Sequence, residues 1–558
     1  MPEPLWNITL GDLLDQMAEN YPDHDAVLYT DRPYRKTYSQ FRDECNQLAK
    51  GFLAMGVKKG DHVAIWATNE PAWILTMFAT AKIGAVLVTV NTNYKLIELE
   101  YLMKQSDSST LVLIDGFKDV NYVEIINKLN PDLIHAELGK PEFPTLPCLK
   151  NVIYVPGKDS PNQPAPAGMY NWNDLYQLGK NIPDDQLAKI QGSLDPHEVV
   201  NMQYTSGTTG FPKGVMLTHY NIVNNGKSIG DRMAFTYQDK LCITVPFFHC
   251  FGCVLAIMAS VTHASTMVPI DYYQPLKVMQ ALHDEKCTAV HGVPTMFIAM
   301  LEHPEFSKFD FSHMRTGIMA GSLCPPKVMQ QVVDLMNMTE ITSVYGLTEA
   351  SPGCTQSMTS DPLDLRVNTV GRAFDYVECK VVDPETGKEL PCGQPGEFMA
   401  RGYNIMKGYY KMPEATLQAI TPDGWLHSGD IATVDENGYY RITGRIKDMI
   451  IRGGENIYPK ELEDQIYTHP AVSDVQVVGI PSKDYGEEVV AFIILKEGTT
   501  LTEDEIKAYI RQRIARHKTP KYVYFIDALP MTASGKIQKY KLREMAVEML
   551  GITPEEEA

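Results

Sequence analysis

The residues richest in chemistry lie together in Tyr204-Thr-Ser-Gly-Thr-Thr-Gly-Phe-Pro-Lys-Gly214. These eleven residues hold three glycines, four hydroxyl side chains from Thr205 to Thr209, and Lys213. Glycine lets a backbone turn its N–H groups inward, hydroxyls add rotatable donors, and lysine adds a positive charge, which together make a nest for phosphate oxygens. Thr205, Ser206, Gly207, Thr208, Thr209, Gly210 and Lys213 are therefore candidate anion ligands. The loop is not a Walker A motif, because Pro212 stands where its second glycine would fall and Gly214 follows the lysine.

Later loops extend the theme. Gly321 and Ser322 form a small, tight turn that admits a flat ring against backbone. Tyr345-Gly346-Leu347-Thr348-Glu349 offers an aromatic face, a hydroxyl and a carboxylate within five residues. Ser428-Gly429-Asp430 ends in an acid suited to accepting from two sugar hydroxyls, and Gly444-Arg445-Ile446-Lys447-Asp448 sets three charges side by side. Each motif alone fits a packed tyrosine or a solvated charge; their order in one chain points to one site.

The elements needed to position them are legible. Apolar runs at 62–67, 85–90 and 110–114 alternate with helical patterns at 71–82 and 96–104, which predicts a mostly parallel sheet covered by helices. Strands at 199–204, 241–245, 288–291 and 341–345 each run into a polar or glycine-containing turn, and ligands in such sheets sit beyond the carboxyl ends of strands. Residues 141–168, rich in proline, read as a surface excursion. From about Val370 short strands and turns predict a small β unit. Beyond Lys447 a compact α+β pattern follows, with helices at 459–468 and 503–514 and strands at 474–480, 488–495 and 522–526. The expected fold class is α/β: a large N-terminal domain over 1–446 including the small β unit, then a small, mobile α+β domain over 447–558.

The whole chain sets limits. A length of 558 residues requires several structural units, and a net charge of −19 argues against a general nucleic-acid or membrane-surface binder. The stretch Trp73 to Val90 is interrupted by Lys82 and Gly84, so it reads as a buried helix and strand, and no membrane span is expected. The start, Met1-Pro-Glu-Pro-Leu-Trp-Asn7, has neither a basic nor an apolar leader segment. Ten cysteines show no framework spacing, and Cys250-Phe-Gly-Cys253 has no second pair to make a zinc site. A cytoplasmic location is expected.

Thr205–Gly214, Tyr345–Glu349, Ser428–Asp430, Gly444–Asp448 and Ala533-Ser-Gly-Lys536 resemble the ordered motifs of the adenylate-forming superfamily. That group comprises acyl-CoA synthetases, nonribosomal adenylation domains and luciferases. Arg452–Pro459 and Gly535–Arg543 are most similar to the medium-chain fatty acyl-CoA ligase branch. The resemblance implies an AMP-forming ligase that joins a small carboxylic acid to ATP, releases pyrophosphate, and passes the acyl group to coenzyme A. It implies Lys536 as the charge bridging carboxylate and α-phosphate, Thr348 on the α-phosphate, and Glu349 holding Mg²⁺. Tyr345, Gly346, Gly321 and Ser322 would frame adenine, with Asp430 and Arg445 on ribose. The C-terminal domain would pivot at Lys447 or Asp448 and bring Gly453 and Gly454 to the pantetheine tunnel, with the CoA nucleotide near Arg516, His517, Lys518 and Lys521.

His249, in Pro246-Phe-Phe-His-Cys-Phe-Gly252, would lie near the carboxylate, ahead of an apolar helix from Cys253 to Ser260 that lines the acyl channel. Glu349 is followed by Ala350 rather than the tryptophan of acetate-specific members, and 247–250 hold no aspartate to pair an amino group. A medium-chain fatty or compact cyclic acid is therefore expected. An aromatic acid framed by Phe247, Phe248 and Tyr403 is the alternative, and so is a non-catalytic nucleotide- or acyl-binding protein.

Overall fold

The computed structural model describes residues 3–139, 143–205, 212–321, 324, 326–452, 455–482, 485–514, 518–532 and 537–552. The chain divides into two units: residues 1–378 with 400–426, and residues 379–399 with 427–558.

Helix and strand alternate in the first unit as the apolar periodicity predicts. His62–Trp66, Pro71–Lys82, Val86–Thr89, Leu96–Gln105 and Thr110–Leu113 follow one another as strand, helix, strand, helix and strand. Pro71–Lys82 opens on proline, which lacks only an N–H the first turn would leave unpaired, and buries every residue from Ala72 to Lys82. Such an all-round apolar helix belongs in a core. Its one charge, Lys82, is compensated by Asp15 at 2.5 Å and Gln191 at 3.2 Å.

Two large sheets result. One has seven strands in the order 340–342, 316–319, 289–292, 240–243, 266–269, 25–28 and 35–37, parallel except for the last pair. The other has eight, in the order 408–409, 213–218, 199–205, 86–89, 62–66, 110–113, 151–154 and 170–171. It is parallel from Val199–Thr205 onward, while the pairings of Val199–Thr205 with Lys213–Thr218 and of Lys213–Thr218 with Gly408–Tyr409 are antiparallel. The glycine- and hydroxyl-rich loop thus joins the two strands at which the sheet changes direction.

Two expectations are corrected. Within the proline-rich 141–168, Asn151–Tyr154 is a fully buried strand rather than surface chain, because its Val152 and Tyr154 join the apolar core of this sheet and Ile153 is buried too. The apolar helix after His249 is wound as a π-helix over Cys253–Met258 before returning to α over Ala259–Thr262.

The second unit carries most of a four-stranded sheet ordered 377–382, 396–402, 426–434 and 440–445. Its C-terminal part pairs Val472–Ser482 with Gly486–Leu495, adds Ile450–Arg452 and Tyr522–Phe525, and covers them with Pro459–Tyr467, Glu503–Arg511 and Lys539–Leu550. Thr502 and Glu505 form the expected reciprocal cap at the start of Glu503–Arg511. Among the described residues no helix is long and apolar enough to cross a membrane.

Candidate active site

In the first unit, the ends of the phosphate-type loop are fixed by a hairpin. Thr205 pairs with Lys213 and Tyr204 with Gly214 across it. Ser206, Gly207, Thr208, Thr209 and Gly210 lie outside the described residues, as does Ser322. The Lys213 ammonium stands 4.9 Å from the centroid of the Tyr409 ring.

Tyr345 and Gly346 belong to the short strand Val344–Gly346, which turns back through Thr348–Ala350. A Cβ on Gly346 would come within 1.8 Å of the Pro352 carbonyl oxygen, so this approach of two backbones requires glycine. The turn leaves Tyr345 and Glu349 half-buried and Thr348 buried. Glu349 is held twice: its backbone carbonyl accepts from the Met406 N–H at 2.8 Å, and its Oε1 accepts from the Tyr409 hydroxyl at 2.8 Å. Gly321 follows the strand Thr316–Met319 in the left-handed region, at φ 87°.

His249 caps a short turn and accepts the Phe251 N–H at Nδ1, 3.2 Å away. That bond implies the tautomer with its proton on Nε2. The Cys250 thiol lies 3.7 Å from His249 Nδ1 and 3.6 Å from Thr348 Oγ1, so it joins the histidine to the threonine. The chain before His249 is clamped by the buried Asn69. Its amide donates to the carbonyls of Val245 and Ile270 at 3.0 Å each and accepts the Phe247 N–H at 2.8 Å. Phe247 is fully buried against Trp73, their ring centroids 5.4 Å apart. The Tyr403 hydroxyl meets Ser228 at 2.8 Å. The π-helix is tied at two points: Gln203 reaches the Cys253 sulfur at 2.9 Å, and His291 Nε2 donates to the Leu255 carbonyl at 3.0 Å. Neither Cys250 nor Cys253 is disulfide-bonded.

In the second unit, Asp430 and Arg445 face one another across adjacent antiparallel strands, with Arg445 Nε 2.9 Å from Asp430 Oδ1. Asp430 is buried while Arg445 is exposed, so the acid is the fixed partner. Beside them Glu397 accepts from the Gly429 N–H at 3.1 Å and meets His427 Nδ1 at 2.9 Å. Lys447 and Asp448 occupy the single 3-10 turn Ile446–Asp448. Lys536, Gly453, Gly454, Arg516 and His517 lie outside the described residues. Of the other basic candidates, Lys518 contacts both oxygens of Glu461 at 2.7 and 2.6 Å, and Lys521 lies 3.5 Å from Glu488.

The sequence reading missed Tyr409, Asn69 and the role of Cys250 as a contact. Tyr409 had a signal in Gly408-Tyr409-Tyr410, a glycine and two aromatic residues of high strand propensity. Asn69 had none, because all three of its side-chain bonds go to residues more than 170 positions away. Among the described residues no three His, Cys, Asp or Glu side chains form a metal cage. A lone carboxylate such as Glu349 instead suits a hard cation that takes most of its oxygens from phosphate and water.

The AMP-binding enzyme family matches residues 14–410, and its C-terminal domain matches 461–536. The chain belongs to the AMP-binding enzyme family. It is 54% identical over 545 residues to YngI of Bacillus subtilis (strain 168), which is named as an acyl-CoA synthetase, covering 98% of each chain. It is 41% identical to the mitochondrial medium-chain acyl-CoA ligase ACSF2 of Danio rerio, covering 98% of this chain and 90% of that one. The solved anthranilate CoA ligase AuaEII in complex with anthranoyl-AMP matches with a TM-score of 0.83 and 25% identity over 99% of each chain.

Proposed function

We propose that the protein is an AMP-forming acyl-CoA ligase for a medium-chain fatty or compact cyclic acid. The reading is supported by relatives named as acyl-CoA synthetases and medium-chain acyl-CoA ligases. The observation that carries its chemistry is the Cys250 thiol within 3.6 Å of Thr348 Oγ1 and 3.7 Å of His249 Nδ1. In this assignment the histidine that meets the acid and the hydroxyl that meets the α-phosphate share one neighbour.

Bringing a carboxylate to a phosphate sets two anions together, so the work of the site is positioning and charge neutralisation. The glycine loop with Thr205 and Lys213 holds the β- and γ-phosphates, Thr348 donates to the α-phosphate, and Tyr345, Gly346, Gly321 and Ser322 frame adenine. Asp430 and Arg445 hold the ribose, and Lys536 bridges the two anions. Glu349 supplies an oxygen to Mg²⁺, which when bound neutralises phosphate charge. After pyrophosphate leaves, residues beyond Lys447 and Asp448 reorient, exchanging Lys536 for the Gly453-Gly454 turn and the CoA thiol. The small Ala350 beside Glu349 leaves room beyond a two-carbon acid, and Phe247, spent on Trp73, weakens the aromatic alternative. A cytoplasmic enzyme of fatty acid metabolism suits ten cysteines that form no disulfide.

The test is pyrophosphate release on mixing the protein with ATP and octanoate, followed by AMP release with CoA across C2 to C16 and ring acids. Maximal kcat/KM in the middle of the series is expected. A preference for acetate would overturn the pocket reading, and nucleotide binding without pyrophosphate release would make the chain a binding protein.

A further inference from the structure

Tyr409 contacts both Lys213, at the end of the glycine loop, and Glu349. Its place is set by backbone. Gly408–Tyr409 adds a short strand beside Lys213–Thr218, with Val215 opposite Tyr409 and Met216 opposite Gly408. The Lys407 and Tyr410 N–H groups donate to the carbonyls of Met216 and Gly214 at 3.0 and 2.8 Å, and the Tyr409 N–H donates to Thr416 Oγ1 at 2.9 Å. Gly408 adopts φ 141°, and a Cβ there would meet Thr416 Cγ2 at 2.9 Å, so the strand's entry is restricted to glycine. The ring is thereby fixed, 8% exposed, with its face toward the Lys213 ammonium and its hydroxyl on Glu349 Oε1.

We propose that Tyr409 is a positioning residue that fixes the separation between the lysine of the phosphate loop and the carboxylate that meets the metal–nucleotide complex. The proposal rests on the ligase reading above. Triphosphate oxygens and a hard cation demand defined spacing, since Mg²⁺ tolerates little departure from octahedral geometry. Lysine is a flexible point charge and glutamate a rotatable acceptor, so neither defines that spacing unaided. A fixed aromatic ring does both tasks. Its electron-rich face orients the ammonium, and its O–H donates a charge-assisted hydrogen bond to one carboxylate oxygen, turning the other outward.

The two contacts separate by mutation. Tyr409→Phe keeps the ring over Lys213 and deletes the hydrogen bond to Glu349, while Tyr409→Leu deletes both. The readout is equilibrium ATP binding to the full chain by calorimetry, with Mg²⁺ and with EDTA, alongside a thermal melt to verify folding. Tyr409→Phe is expected to weaken Mg·ATP binding about tenfold, the usual loss for a hydrogen bond to a charged group, and to leave metal-free ATP binding unchanged. Tyr409→Leu is expected to weaken both. In a Glu349→Gln background, Tyr409→Phe is expected to add little, because the two residues act through one bond. Native-like Mg·ATP binding by Tyr409→Phe, or effects that simply add in the double variant, would overturn the positioning role while leaving the ligase reading intact. A native chain that binds ATP equally with and without Mg²⁺, or not at all, would instead overturn the ligase reading and the proposal with it.

Discussion

The two units hold their candidate site residues by different physics. In the first, the groups are fixed by mostly neutral hydrogen bonds between distant parts of the chain: Asn69 to the loop before His249, Cys250 to Thr348, Tyr409 to Glu349. In the second, they are fixed by ion pairs, Asp430 with Arg445, Arg452 with Glu488, and Lys518 with Glu461. Buried neutral bonds are directional and costly to break, because a lost partner leaves a desolvated group behind. An ion pair with a solvent-exposed member, as in Arg445 with Asp430 or Lys518 with Glu461, is cheaper to exchange and is screened by salt. On the proposed ligase function, the unit that anchors the nucleotide gains from the first kind of contact, and the unit that trades one ligand for another gains from the second.

The largest expected effect tests the neutrality of the first unit. His219 and His291 are buried and held as neutral rings. His219 Nδ1 accepts the Leu10 N–H at 3.1 Å, and His291 donates to Leu255 and accepts the Ile318 N–H at 3.2 Å. Burial pushes both down to about 4. An unfolded histidine, near 6.5, binds a proton that the folded one refuses, so the unfolded state gains protons first as pH falls. Their stabilisation is full above about pH 6.5 and is lost as the pH falls toward about 4, by roughly 3 kcal/mol each. All five tryptophans lie in the first unit, so tryptophan fluorescence during urea unfolding at pH 7.5 and pH 5 reads this unit alone. A denaturation midpoint unchanged between the two would break the contrast.

The second effect tests exchange in the second unit. Lys536→Ala should slow adenylate formation by about 10²–10³-fold, as for other preorganised charge donors, yet spare CoA attack on preformed acyl-adenylate. Gly454→Trp should do the reverse. Pyrophosphate release and CoA-dependent AMP release measure the two steps separately, and equal damage to both by either substitution would remove the case for a unit that trades ligands.

The same contrast explains what the sequence disclosed. Local order was legible: the β-α-β alternation from His62 to Leu113, the helix at Pro71, and the reciprocal cap at Thr502 all follow from periodicity and short-range hydrogen bonding. Asp430 and Arg445, on one hairpin, are legible from their two short motifs. Asn69 and Tyr409 were not, because their partners are set by sheet order, which apolar periodicity leaves undetermined. The π-helix at Cys253–Met258 escaped for a related reason. Its winding is held by Gln203 and His291, which lie on strands far away in the chain.

The smallest expected effect sharpens the comparison most. Lys518 was a candidate partner for the CoA nucleotide, yet Glu461 engages it through both carboxylate oxygens, and Lys521 shares Glu488 with Arg452. An ion pair of this exposure contributes less than about 1 kcal/mol, so its cost to break is small compared with what a phosphate would return. Glu461→Gln removes the competing charge and keeps the side chain's shape. It should leave the melting temperature nearly unchanged and lower the KM for CoA two- to threefold, roughly 0.5 kcal/mol, with the gain disappearing in high salt. If the KM for CoA does not move at low salt, Lys518 serves only the fold. The second unit's ion pairs would then be structural ties like the neutral bonds of the first.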